Sequence, residues 1–232
     1  MGDAIVMSEG FCTHTGLPIP TLTPAQVPIW WQKVAQAGLP PEVWVETAGR
    51  SSAMLTLGWL GQDWQVGRVV VLVGQGTTGA VALSAARHLA NRCMKVRVWL
   101  NPETPLDALL HNQYNLYQKT GAQRVDLGEL IGETAAVVLV GSEVPLLPDI
   151  WSWVSKSGAE VLRIGATLDG AAVATLVVGL PVTETPYSGQ LYLADVGIPL
   201  AVYEQVGLEH RFVFGNQYII PMFRRQEDGF SE

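Results

Sequence analysis

Unbroken runs of apolar residues alternate along this chain with segments in which apolar residues recur every three or four positions. Residues 69–73 form a continuous aliphatic run, which is typical of a strand covered on both faces of a parallel sheet. Residues 80–89 follow with small apolar side chains at helical spacing, which predicts a helix lying close to that sheet. Because the alternation continues, we expect a mostly parallel sheet with helices on both faces.

The same pattern predicts the remaining elements. Further strands are predicted at residues 96–100, 135–140, 160–164, 173–178 and 191–196, and further helices at residues 23–37, 43–60, 105–120 and 148–157. Thr23 is the predicted N-cap of the first helix, with Pro24 at its first position and Gln26 as a reciprocal cap. The predicted fold class is therefore α/β, a Rossmann-like three-layer α/β/α sandwich with a mostly parallel central sheet.

The two ends of the chain depart from this pattern. Residues 8–20 are rich in Gly, Thr and Pro and are predicted to form coil on the surface. We expect one domain at residues 1–206, including a coil arm at residues 1–20, followed by a C-terminal extension at residues 207–232. The aromatic residues of the extension predict an added strand or a dimer arm, and residues 224–232 are predicted to be disordered.

The loop between the first strand and its helix is the main candidate for a ligand site. Its sequence, Gly74-Gln75-Gly76-Thr77-Thr78-Gly79, is a glycine turn that brings backbone N–H groups and a helix N-terminus towards a phosphate. A nucleotide or an ADP-ribose-like group could rest on the N–H groups of Thr77, Thr78 and Gly79. The same spacing also occurs in tight turns that bind nothing, so both interpretations stay open.

An ordinary dinucleotide dehydrogenase is disfavoured. Such an enzyme holds a ribose hydroxyl with an acid at the end of the second strand, and no acid ends the strand at residues 96–100. Asn101 and Glu103 are the available substitutes.

Composition and charge exclude several other classes. The chain has 232 residues, 48% of them hydrophobic, which is enough for a large core. A net charge of −7 and a pI near 5.1 argue against nucleic-acid binding. Cys12 and Cys93 match no metal spacing, which indicates a reduced, cytoplasmic protein. No run approaches the ~20 apolar residues of a membrane span, so no membrane role is expected.

Several motifs together resemble one family, the YjeF N-terminal domain, whose active members are NAD(P)H-hydrate epimerases. The resemblance covers roughly residues 22–203 and implies the fold given above. The matching segments are Leu22-Thr23-Pro24-Ala25-Gln26, Glu46-Thr47-Ala48-Gly49-Arg50, residues 74–82 with 85–89, and Gly189-Gln190-Leu191-Tyr192-Leu193-Ala194-Asp195-Val196-Gly197-Ile198-Pro199.

The departures from the family pattern fall on its chemistry. Two asparagines and an aspartate of the family loop, which hold substrate and potassium, match Thr77, Thr78 and Val81. A strand end that supplies another potassium ligand matches Gly141-Ser142-Glu143. The aspartate expected to move protons matches Gly165, and the serine near the metal matches Leu168.

Epimerisation needs a general acid or base, and a potassium ion needs several oxygen ligands. The matching positions supply neither, so we expect no metal site and no potassium, and no catalytic residue is assigned. Asp169 and Glu143, together with Glu184, are the acids to consider if activity is found. The predicted ligand-binding residues are Gly74, Gly76, Thr77, Thr78, Gly79, Gly141, Ser142 and Gly165.

Three hypotheses remain for the function. The first is a catalytically degenerate domain that binds an NAD(P)-type nucleotide or acts as a dimeric interaction module, and a homodimer is expected from the resemblance. The second is a working epimerase, and the third is other chemistry on a nucleotide-linked substrate. The eight tryptophans could supply a dimer interface, although ordinary core packing explains them as well.

Overall fold

A computed structural model of the chain describes residues 10–166, 168–170, 172–209 and 212–225. These residues form one sheet of ten strands. The strands are β1 (Phe11–Thr13), β2 (Pro18–Ile19), β3 (Arg68–Val73), β4 (Lys95–Leu100), β5 (Gln123–Val125), β6 (Val137–Gly141), β7 (Glu160–Ile164), β8 (Ala174–Val178), β9 (Gln190–Ala194) and β10 (Ile219–Arg224). Their order across the sheet is β2-β1-β10-β9-β8-β7-β6-β3-β4-β5.

Helices connect most of the strands. They are α1 (Gln26–Gln36), α2 (Pro41–Leu60), α3 (Thr77–Ala90), α4 (Ala108–Gln118), α5 (Leu127–Ile131), α6 (Pro148–Ser157) and α7 (Leu200–Gln205), with a 3-10 turn at Gly61–Gln65. Within the described ranges, none of these helices combines the length and the apolar character needed to cross a membrane.

The sheet is mostly parallel and is covered by helices on both faces. All neighbouring pairs among β3 to β9 are parallel, while β10, β1 and β2 extend the sheet with antiparallel pairs. Along β3, Val69 and Val71 face one buried cluster with α2 and α3, whereas Val70 and Leu72 face another with α6. The predicted α/β fold, with helices on both faces of a mostly parallel sheet, is therefore confirmed.

The order of the strands also determines where a crevice forms at the edge of the sheet. From β3 the chain moves outwards through β4 to β5, and it then returns to pair β6 with the other side of β3. The carboxyl ends of β3 and β6 therefore meet where the strand order reverses. In open α/β sheets, ligand sites lie at such switch points.

The prediction of a coil arm before residue 20 is wrong for the described residues. Phe11 and Ile19, in β1 and β2, are buried in an apolar cluster against β9 and β10. The pattern did not predict strands because each is too short to show an alternation, and β10, which pairs with β1, lies at the other end of the chain. The added strand predicted in the extension is confirmed as β10.

The prediction of disorder from residue 224 onwards fails at its start. Arg224 belongs to β10, and the Arg225 N–H donates to the carbonyl oxygen of Gly10 at 2.9 Å. Residues 226–232 lie outside the described residues.

Two of the predicted helices, at residues 23–37 and 105–120, begin later in the structure than expected. Helix α1 begins at Gln26, whose side chain accepts a hydrogen bond from the Thr23 N–H at 2.8 Å, while residues 24 and 25 form a turn. Helix α4 begins at Ala108 rather than at residue 105, because the Asp107 carboxylate accepts from the Leu110 N–H at 2.8 Å and caps the helix there.

Candidate functional site

A cavity of about 380 Å³ opens at the switch point of the sheet. It lies where the chain leaves β3, β6, β7 and β8, and α1 and α2 contribute its outer wall. Its lining is mostly apolar, consisting of Leu22, Pro24, Val27, Trp31, Trp44, Val81, Ala166, Val177, Val178, Leu180 and Val182, together with Thr77, Thr78, Glu143, Gly165, Thr185 and Tyr187. We refer to this cavity as the crevice.

The glycine loop brings α3 to the edge of the crevice. Gly76 has φ 92° and ψ −174°, a conformation that is essentially limited to glycine, and α3 begins at the next residue. Of the predicted ligand-binding residues, Thr77, Thr78 and Gly165 line the crevice. Gly74 and Gly79 lie in the tight turn beneath, where the Gly74 N–H donates to the Gly141 carbonyl oxygen at 2.8 Å.

A carboxylate of the protein itself occupies the N-terminus of α3. Glu143 follows β6, and its Oε1 accepts hydrogen bonds from the Thr77 N–H at 2.7 Å, the Thr77 hydroxyl at 2.5 Å and the Thr78 N–H at 3.3 Å. The positive end of the helix dipole favours an anion at this position. Two of the three N–H groups predicted to hold a phosphate therefore already donate to Glu143.

Asp169 is turned away from the crevice and stabilises a neighbouring loop. Its carboxylate accepts from the Leu146 N–H and from the Trp151 indole N–H, both at 2.6 Å, and pairs with Arg163 at 2.8 Å. The Arg163 side chain is fully buried, and its guanidinium lies 5.2 Å from the centre of the Trp151 ring. Asp169 therefore anchors the loop after β7 to α6 and does not reach the crevice lining.

The two positions that match the family aspartate and serine, Gly165 and Leu168, differ in their surroundings. Gly165 has φ 82°, and a Cβ there would stand 3.0 Å from the Cγ2 of Thr78. An aspartate at this position would be strained in its backbone and crowded by the Thr78 methyl group. Leu168 is exposed and lies outside the described lining of the crevice.

The side chains implied for potassium do not fit such a site. The Ser142 hydroxyl donates to the Val144 carbonyl oxygen at 2.6 Å, inside its own loop. The Thr78 hydroxyl is buried with no hydrogen-bond partner among the described residues, but a single hydroxyl falls short of the several oxygens that a hard cation needs. No group of three His, Cys, Asp or Glu in the described part of the chain could hold a metal ion.

The aromatic residues of the crevice come from distant segments. Trp31 of α1 and Trp44 of α2 stack with their ring centres 4.4 Å apart. The Tyr187 hydroxyl accepts from the Val182 N–H at 3.0 Å. Burial raises the pKa of Tyr187, while bonds with Val182 and Thr185 and the charge of Arg224 partly offset that rise. From the sequence, these tryptophans were predicted to be core or interface residues, and no pattern predicted that Tyr187 would line a ligand site.

The fold and the arrangement of the crevice residues together define a class of protein. Its members are α/β domains with a glycine loop at the switch point of the sheet. Residues 41–137 match the family model described as YjeF-related protein N-terminus. The resemblance noted in the sequence is thus confirmed for this part of the chain.

Two kinds of named relative are similar to the chain. The NAD(P)H-hydrate epimerase of Dehalogenimonas lykanthroporepellens is 29% identical, covering 88% of this chain and 93% of that protein. Enhancer of mRNA-decapping protein 3 from Macaca fascicularis and from Homo sapiens is 27% identical over 93% of this chain. The chain spans about half of the length of these decapping proteins, 47%.

A solved structure agrees with the fold. The crystal structure of yeast ynu0 (YNL200c) superposes with a TM-score of 0.68, covering 88% of this chain and 100% of that one. At 12% sequence identity, this likeness shows the fold alone.

Proposed function

We propose that the chain is a YjeF-type domain that has lost epimerase chemistry and acts by binding a ligand in the crevice. One observation carries this proposal: Glu143 is the sole carboxylate among the described lining residues, and its Oε1 is bonded to the first turn of α3.

General acid–base catalysis needs a proton-carrying group within hydrogen-bond reach of the reacting atom. The Oε1 of Glu143 accepts three hydrogen bonds from Thr77 and Thr78, so this oxygen is held against the first turn of α3 rather than directed at a reacting atom. The position of the family aspartate is Gly165, and Val81 stands where the family loop has its aspartate. Similarity to proteins named enhancers of mRNA decapping supports a role other than epimerisation.

The resemblance implies a nucleotide as the ligand. A nucleotide phosphate at the glycine loop would have to displace the Glu143 carboxylate, because both use the N–H groups of Thr77 and Thr78. Binding of an NAD(P)-type nucleotide is therefore expected to be weak in the native protein and stronger in a Glu143→Gln variant.

An epimerase assay tests the loss of chemistry. Hydrated NADH and NADPH are incubated with the chain, and the Dehalogenimonas lykanthroporepellens enzyme serves as the positive control. The rate of epimerisation is expected to equal the spontaneous rate, with and without potassium. A rate above that background would contradict the proposal, and its disappearance in Glu143→Gln would assign the chemistry to Glu143.

A thermal-shift titration tests the binding function. NADH, NADPH, ADP-ribose and AMP are compared on the native chain and on Glu143→Gln. A ligand present at a hundred times its dissociation constant stabilises a protein by about 2.7 kcal/mol, which is readily visible. Larger shifts for Glu143→Gln than for the native chain support a site at the loop, whereas a nucleotide shift that is unchanged in this variant places the ligand elsewhere.

The second candidate function is NAD(P)H-hydrate epimerase. It is favoured by the similarity to an enzyme of that name over 93% of its length. In this alternative, Glu143 would serve as the acid or base, and the assay above decides between the two.

Self-association as a homodimer is a further proposal. Val43 and Met54 lie three turns apart on α2, and each is 47% exposed. Light scattering of the native chain is expected to give twice the chain mass, and a Val43→Glu/Met54→Glu variant is expected to give the chain mass. A native protein with the mass of one chain would overturn this proposal.

A further inference from the structure

We infer that the crevice selects a ligand that carries an ammonium group on a flat apolar body, with the ammonium bound to Oε2 of Glu143. This inference rests on the proposed function, since it names the class of ligand for the same crevice. It differs from the nucleotide class because the polar end of the ligand is a cation rather than a phosphate.

The charge of the crevice favours a cation. Among the described lining residues, Glu143 alone carries a charge at neutral pH, and the others are apolar, hydroxyl-bearing or glycine. A phosphate at the N-terminus of α3 would meet a carboxylate of the same sign, which repels it. An ammonium group would meet an opposite charge at the same position.

The bonding of Glu143 leaves one oxygen for a ligand. All three of its hydrogen bonds from the glycine loop end on Oε1. No described residue donates a hydrogen bond to Oε2. A carboxylate oxygen can accept more than one hydrogen bond, and those from an ammonium donor are among the strong ones. The protein thus orients the carboxylate through one oxygen and leaves the other as an acceptor.

The walls of the crevice suit a flat apolar body. Trp31 and Trp44 line it as a stacked pair, and Tyr187 lines it with its hydroxyl bonded to the Val182 N–H. Aromatic faces attract both flat rings and cations. The volume of about 380 Å³ lies within the ~300–1,000 Å³ typical of sites for small molecules.

Three probes with one ring system separate charge from shape. Tryptamine carries an ammonium group on an indole, tryptophol carries a neutral hydroxyl, and indole-3-propionate carries a carboxylate. Their affinities are measured by calorimetry on the full chain at pH 7. We expect tryptamine to bind roughly tenfold or more tightly than tryptophol, because a hydrogen bond to a charged group contributes about that much, and indole-3-propionate to bind most weakly.

Two variants assign the preference to the proposed atom. Glu143→Gln is expected to remove the difference between tryptamine and tryptophol. Glu204→Gln removes one charge from the exposed face of α7, outside the crevice lining, and is expected to keep that difference. This control matters because a net charge of −7 attracts any amine weakly.

Comparison of the three probes on the native chain tests the inference without any variant. Equal affinities, tighter binding of indole-3-propionate, or no binding by any probe would each overturn it. If ADP-ribose binds the native chain and tryptamine does not, the ligand class is wrong while the binding function stands. Epimerisation of hydrated NADH above background would instead overturn the proposed function, whatever the three probes do.

Discussion

The carboxyl group of Glu143 lies directly over the Cα of Gly76. A Cβ at Gly76 would stand 2.1 Å from the Cδ of Glu143, closer than two non-bonded carbons can approach. In phosphate-binding loops, a glycine at this place lets the backbone approach a pyrophosphate. In this chain, the same absence of a side chain makes room for Glu143, which lies in the loop after the neighbouring strand β6.

Replacing Gly76 by alanine is therefore expected to displace Glu143 from α3. The variant combines an unfavourable backbone conformation, costing about 1–3 kcal/mol, with the loss of hydrogen bonds to a charged group, costing roughly 1.5–3 kcal/mol. Gly38→Ala is a matched control because Gly38 has φ 91° and open space where a Cβ would be. The free energy of unfolding in urea should fall further for Gly76→Ala than for Gly38→Ala, and equal losses would contradict this account of Glu143.

Restoring the family aspartate at Gly165 is expected to fail. Gly165→Asp must adopt φ 82° and crowd the methyl group of Thr78, so we expect a loss of about 1–3 kcal/mol in unfolding free energy and no epimerase activity. Gly121→Asp serves as the control, since Gly121 has φ 77° with nothing within 4 Å of a built Cβ. Activity in Gly165→Asp above that of the native chain would show that the crevice still accommodates the reaction.

Asp169 is expected to be essential for stability rather than for chemistry. Its partner Arg163 is fully buried, and breaking such a pair by removing one charge typically costs about 3–5 kcal/mol. Asp169→Asn should therefore lower the unfolding free energy strongly. A double variant, Arg163→Met with Asp169→Leu, should recover part of the loss, because no buried charge then remains unpaired. An Asp169→Asn variant as stable as the native chain would refute this role.

The sequence predicted six of the seven described parallel strands, β3, β4, β6, β7, β8 and β9, because apolar residues dominate those segments. Other elements lacked such a pattern, and their order depends on contacts between distant segments. Strand β5 has three residues, two of them exposed. Helix α5 has only five residues, although Asp126 and Glu129 form a capping box whose sequence pattern was available. The spacing of apolar residues therefore predicted the longer helices and strands and did not predict the shortest ones.

The candidate site was predicted less completely than the fold. The glycine loop is local in sequence, and its position after β3 was predicted correctly. The bond between Glu143 and Thr77 joins residues 66 positions apart, and it depends on β6 pairing with β3, which spacing does not reveal. Asp169 and Glu143 were equivalent candidates in the sequence. Contacts with other segments distinguish them, since Asp169 pairs with the buried Arg163 and Glu143 bonds to Thr77 at the crevice.

A cluster between α2 and α3 predicts how stability changes with pH. His88 Nε2 lies 2.8 Å from the Glu46 carboxylate, which also accepts bonds from Arg87 and from the Ser84 hydroxyl. Burial lowers the pKa of His88 below its ordinary value of 6.5; Glu46 opposes this shift, and Arg87 and Arg92 add to it. Burial alone would raise the pKa of Glu46, but its bonds with Arg87 and Ser84 and the neighbouring positive charges hold it below 4.5.

Both shifts make the folded protein less stable in acid. Because the pKa of His88 is lower in the folded chain, the unfolded chain binds more protons below pH 6.5, and the free energy of unfolding falls as the pH drops through that range. The stabilisation from Glu46 is present above pH 4.5 and is lost as the pH falls through its lowered folded pKa. Urea unfolding of the native chain should therefore show a decline between pH 7.5 and pH 5.5 that comes from His88, with a further decline in stronger acid.

His88→Gln separates the two contributions. The variant is expected to lose the decline between pH 7.5 and pH 5.5 and to keep the decline below pH 4.5, because Glu46 still pairs with Arg87. Between pH 7.5 and pH 8.5, His88 is neutral in both states, so the difference between native chain and variant should be constant there. If His88→Gln declines as steeply as the native chain between pH 7.5 and pH 5.5, another group must titrate in that range, and the burial of His88 would not be the cause.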